Sequence, residues 1–201
     1  MTLGKAIARI EEADRALTAS APRPFPLPAK GLEAVIAGSV TALEEGDWWV
    51  PGLRERVGAV LRDVPLERLI DGLRGARPYR VAPPTPSPAL RALHAVGLAL
   101  ASSSTTLVHL GIGSAADGAF AEALNLAALL GVPVIFVVAI HPLDGEAPVG
   151  AQLASSPAAL AAAYGIPTET IDGADADAVH ASVKAARLTG GPFLVEALLA
   201  G

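Results

Sequence analysis

Several residues in this chain have the types and spacing to do chemistry. Gly111 and Gly113 alternate in "GIGS" directly after an apolar run. Bare backbone N–H groups at such glycines can cradle a phosphate, although a lone Gly-x-Gly is a weak signature and turn glycines are the commoner outcome. His109 lies within the run, where a histidine either moves protons or is satisfied in the core, the second being more frequent. His141 ends "VVAIH" and, with Arg54, is an obvious polar hook for a small ligand; one imidazole can bond a soft metal but is no magnesium site. Asp172, Asp175 and Asp177 suggest a cation loop, yet they lack its glycine and closing glutamate, so helix capping accounts for them better. Glu122 and Asn125, three apart, share a helix face suited to an interface. Of Trp48 and Trp49, one is expected in the core and Trp48 is a candidate partner anchor.

These residues need elements to position them. Residues 3–18 and 32–44 have helical patterning, separated by "SAPRPFPLPAKG", whose four prolines stop a helix. "LRERVGAVLRD" and "PLERLIDGLRG" read as two more helices. Five prolines between Arg77 and Pro88 then read as an extended surface linker. Beyond it, helices alternate with the apolar runs "TTLVHLGIG" and "VPVIFVVAI", a short "PTETIDG" and a final "PFLVEALLA". Continuous apolar strands between helices imply a doubly wound α/β fold, with a mainly parallel sheet covered by helices on both faces. The expected organisation is a helical N-terminal segment (1–76), a Pro-rich linker (77–88) and an α/β core (89–201), forming one compact domain. Ligands would enter beyond the carboxyl ends of the strands, near Gly111 to Ser114 and Ala139 to Asp144.

Composition narrows the function. The 201 residues are 52% hydrophobic, enough for a full core. A net charge of -5 with scattered Lys and Arg argues against nucleic acid. No apolar stretch is long enough for a membrane span, and Glu11, Glu12 and Asp14 interrupt any signal peptide, so a cytoplasmic location is expected. The absence of cysteine excludes disulfides and thiolate chemistry.

The run "GIGSAADGAFAEALNLAALLGVPVIFVVAIH" resembles the alpha subunit of the thiamine-diphosphate-dependent first component of 2-oxo acid dehydrogenase complexes. Asp117 to Phe120 match the family's Glu-Gly-Ala-Phe block, and Glu122 to Ala128 match Glu-Ala-Leu-Asn-Leu-Ala-Ala. "GLEAVIAGSVTALEEGDWWVPGLRE" is similar to its N-terminal half, and "AAAYGIPTETIDG" through "GPFLVEA" follows its later elements.

The resemblance implies a thiamine-diphosphate-binding fold, and a cofactor gripped through magnesium by the Asp of Gly-Asp-Gly and the Asn of Glu-Asn-Asn. In this chain the Asp position is Ile112 and the Asn pair is Ile140 and His141. The family's diphosphate-holding Tyr is Leu53, leaving Arg54 alone, and its histidine loop is expected to be missing because the sequence ends at Gly201. The degenerate cofactor positions are therefore Arg54, Gly111, Ile112, Gly113, Ser114, Ile140 and His141, with no metal and no catalytic residue. The expectation is a degenerate, non-catalytic alpha-like subunit without cofactor, acting structurally or as a regulator through a beta-like subunit or self-association. Glu122, Asn125 and Trp48 would supply the interface. The alternative is a working dehydrogenase part whose thiamine diphosphate and magnesium site a partner chain completes.

Overall fold

The computed structural model describes residues 1–20, 28–71, 77–83, 85, 87–141 and 149–199. Five parallel strands form one sheet in the order β1-β2-β3-β5-β4: β1 (Trp48–Val50), β2 (Thr106–Gly111), β3 (Val134–Ile140), β4 (Thr168–Asp172) and β5 (Phe193–Leu198). Period-two alternation divides the core between the two faces. Leu107, Ile135, Val137 and Val195 pack under α1 (Leu3–Ser20), α2 (Glu33–Thr41) and α9 (Ala176–Thr189). Val108, Leu110, Val134, Phe136 and Val138 pack under α4 (Leu90–Ser102), α6 (Gly118–Leu130) and α8 (Pro157–Ala163). The doubly wound α/β architecture is therefore present.

Three features differ from expectation. "WWV" forms a strand, pairing Trp48 with Thr106, Trp49 with Leu107 and Val50 with Val108. Three residues are too few to show a period, and the flanking Asp47 and Pro51 look like a boundary. The stretch expected as a surface linker is buried in part: Val81 and Ala82 are each 1% exposed, and Val81 bridges to Trp49. Pro84 and Pro86 of that stretch, residues 21–27 of the earlier proline-rich break and residues 72–76 of an expected helix lie outside the described residues. The helix expected after Leu53 is a 3₁₀ helix over Glu55–Arg62, followed by α3 (Leu66–Ile70).

Local signals set the helix ends. Asp117 caps α6 by accepting from Ala119 N at 2.8 Å, and Asp175 caps α9 by accepting from Asp177 N and Ala178 N. Of the three aspartates read as caps rather than cation ligands, Asp175 is the cap, while Asp172 accepts from Ala174 N at 2.9 Å in the preceding turn and Asp177 lies in the first turn of α9.

Candidate functional site

β2 and β3 end at the same edge of the sheet, where Gly111 pairs with Ala139. After Gly111 the chain turns into the one-turn α5 (Ile112–Ala115). The 3₁₀ helix and the first turn of α4 stand opposite. Between them lies a cleft of about 340 Å³. Its wall includes Arg54, Gly111, Ile112, Gly113, Ser114 and His141, so the fold brings together six of the seven positions singled out in the sequence. Ile140 is the exception: it packs with the cluster on the opposite face of the sheet, while its carbonyl accepts from Leu199 N at 3.0 Å. A strand's side chains alternate faces, so neighbours 139 and 140 cannot both face the cleft.

The hooks are not arranged as the sequence suggested. Arg54 donates from Nε to the carbonyl of Pro28 at 2.9 Å and from Nη2 to that of Lys30 at 2.6 Å, which binds the guanidinium to the chain's own backbone. That segment continues into Gly31, whose φ of +85° suits glycine and whose N–H donates to Glu33 Oε2 at 2.7 Å. A Cβ at Gly31 would fall on Nε2 of His141, so the turn lies directly against the imidazole. Arg54 and His141 thus meet the same turn. Residues 142–144 of the expected crevice lie outside the described residues, as do 145–148.

Ile112 is only 4% exposed and helps form the cleft wall. Leu53 and Ala139 also line it, and none of the three carries a side-chain oxygen. Among the described residues, the carboxylates on the wall are Asp117, which caps α6, and Glu55, which is buried near Arg91. Burial raises the pKa of Glu55, and Arg91 opposes that shift. Among the described residues no group of three or more His, Cys, Asp or Glu could hold a metal. Magnesium requires several hard oxygen ligands in near-octahedral array, and these side chains do not suit it.

Sequence reasoning missed Glu55 and Arg91. The available signal was a charge on an apolar stripe: Arg91 shares its helix face with Ala95 and Ala99, both fully buried. His109, by contrast, is a satisfied core residue. Trp49 Nε1 donates to its Nδ1 at 3.0 Å, so the neutral ring carries its proton on Nε2 and donates to Ser39 Oγ at 2.8 Å. Ser39 in turn donates to the Val35 carbonyl at 2.6 Å. Burial, with the charge of Arg91 second, pushes the His109 pKa down to about 3.

On the outer surface, Glu122 and Asn125 are exposed on α6 and joined by a 3.4 Å hydrogen bond. Leu129, one turn further, is 76% exposed. Trp48 is half-buried, with Arg80 5.3 Å over its ring.

Comparison with known proteins supplies the family context. The family described as "Dehydrogenase E1 component" matches residues 4–199. A Mycobacterium tuberculosis protein named 3-methyl-2-oxobutanoate dehydrogenase subunit alpha is 32% identical, the match covering 85% of this chain and 51% of the relative. A Staphylococcus aureus protein named pyruvate dehydrogenase E1 component subunit alpha is 31% identical, the match covering 87% of this chain and 52% of the relative. The chain spans about half the length of these curated relatives.

Proposed function

The chain belongs to the dehydrogenase E1 component family, and from that premise we propose that it is a non-catalytic alpha-like subunit with a structural or regulatory role. On this reading it keeps the family's fold and assembly surface and does not grip thiamine diphosphate through magnesium. The observation carrying the reading is Ile112, a buried hydrocarbon side chain at the position where the resemblance places a metal-ligating aspartate. Ile140, turned to the other face, and His141, against the Gly31 turn, add support. Enclosing a diphosphate without its metal would leave several negative charges poorly compensated.

The proposed assembly surface is the outer stripe of α6, Glu122, Asn125 and Leu129, with Trp48 as a further contact. The partner is a beta-like subunit or a second copy, and the setting is the cytoplasm. Among the described residues no helix is long and apolar enough to cross a membrane.

Similarity to relatives named as dehydrogenase subunits favours a second reading, in which a partner chain completes a working site. Native mass spectrometry of the tagged chain, purified from its own organism without added cofactor, separates the two. The proposal expects an assembly without thiamine diphosphate mass; a complex with a beta-like chain carrying the cofactor and magnesium would establish the second reading. Leu129→Glu with Asn125→Arg should dissociate the assembly while the circular dichroism spectrum of the chain stays unchanged. Persistence of the complex would remove α6 from the interface.

A further inference from the structure

The backbone that leads into α2 is held at Pro28 to Gly31 by two different elements. From the cleft wall, Arg54 donates to the carbonyls of Pro28 and Lys30 at 2.9 and 2.6 Å, charge-assisted bonds on either side of Ala29. From α1, both carboxylate oxygens of Asp14 accept from Ala29 N at 3.2 Å. Ala29 is fully buried, and its carbonyl accepts from Leu32 N at 2.8 Å, which closes the turn. Gly31 donates to Glu33, has a φ of +85° and lies against Nε2 of His141. The charge of Asp14 also supports the guanidinium of Arg56 against the cost of its burial.

We propose that Pro28 to Gly31 form a strap that couples α1 to the cleft wall, so that α1 loosens and Arg54 is freed in a single event. The coupling passes through one peptide group, because the Pro28 carbonyl and the Ala29 N–H belong to the same planar unit. In a planar trans peptide these two groups point in opposite directions, so rotating it away from either partner breaks both contacts. A cation at the oxygen and an anion at the N–H also polarise the peptide in the same sense, and each strengthens the other's bond. While α1 is docked, the strap keeps Arg54 engaged with the chain itself. A contact made at α1 therefore registers at the cleft, and the reverse effect has the same size. This inference stands apart from the proposed function, since it is read without cofactor and its failure leaves that reading untouched.

The test is hydrogen exchange of the full chain in its native assembly, with the amides of β3 reporting global opening. Arg54→Met should speed exchange of the α1 amides at least roughly fivefold relative to β3. Gly31→Ala, which strains the other end of the strap and sets a methyl onto His141, should do the same. In the reverse direction, Asp14→Ala should speed exchange of the Arg54 Nε–H, followed as a side-chain NMR resonance, by a similar factor. The double variant Asp14→Ala with Arg54→Met should loosen α1 by less than the product of the single effects. Asp175→Ala, which weakens α9 instead, should leave α1 unchanged relative to β3. The proposal is overturned by changes confined to residues 28–33 in Arg54→Met, by an Arg54 Nε–H that stays protected in Asp14→Ala, or by multiplicative effects in the double variant. Equal loosening of α1 in Asp175→Ala would also overturn it. Should Arg54→Met fail to fold, Arg54→Lys, which keeps the charge but cannot span both carbonyls, and Gly31→Ala decide on the same readout. Unaltered α1 exchange in both of these overturns it.

Discussion

Arg187, on the last turn of α9, donates from Nε to Asp47 Oδ2 at 2.6 Å and from Nη2 to Oδ1 at 3.4 Å, a two-pronged contact between residues 140 apart in sequence. Asp47 is 3% exposed and also accepts from Glu44 N at 2.8 Å. Arg62 fastens the same turn by donating to the carbonyls of Glu44 and Asp47. The aspartate in "GDWW" thus ties the final crossover helix to the turn that launches β1, a structural use of a motif that the sequence alone leaves without a role.

Asp47→Ala should therefore lower stability by about 2–3 kcal/mol, since it leaves Arg187 with only the exposed Glu44 carboxylate and removes the acceptor of Glu44 N. Arg187→Met should cost a similar amount by isolating a buried carboxylate. Urea unfolding checks both, with the midpoint falling and the slope unchanged.

The Trp49–His109–Ser39 chain makes stability depend on pH in a defined direction. The folded pKa of His109 is about 3, below its ordinary 6.5, so the folded state holds the ring neutral. Its contribution is complete above pH 6.5 and declines as pH falls toward 3, because the unfolded chain takes up the proton first. The slope from this group is at most about 1.4 kcal/mol per pH unit. Trp49 fluorescence during denaturation at several pH values should record the decline, and His109→Leu should remove that part of the slope.

Gly38 and Gly97 are both helical glycines, and replacing them should give effects of opposite sign. A Cβ at Gly38 in α2 would stand 2.6 Å from the Ala176 carbonyl oxygen and 2.7 Å from Cβ of Val179. Gly38→Ala should destabilise by about 1–3 kcal/mol, because overlap with backbone outweighs the gain in helix propensity. Gly97 in α4 has open space around it, so Gly97→Ala should stabilise by about 0.5–1 kcal/mol. Thermal melts of the two variants test the pair.

Asp175→Ala should cost about 1 kcal/mol, since the carboxylate accepts from two backbone donors at the start of α9. Asp175→Asn should recover most of that loss because the amide oxygen still accepts. Equilibrium unfolding of the three proteins provides the comparison.

What the sequence determined by itself is local or periodic. Uninterrupted apolar runs such as "VIFVVAI" announced buried parallel strands, helical spacing announced the covering helices, and Asp175 announced where one of those helices begins. Such signals need only a few neighbouring residues. The tertiary structure decided everything that depends on which distant segments meet. It made "WWV" a strand by laying it beside β2, and it engaged Arg54 with the carbonyls of Pro28 and Lys30. It also enclosed Arg91 at the cleft without a hydrogen-bond partner. A charged side chain carries the same pattern in sequence whether it reaches water, a carbonyl or the wall of a cleft, and only packing chooses among them because burial and partnership are properties of the surroundings.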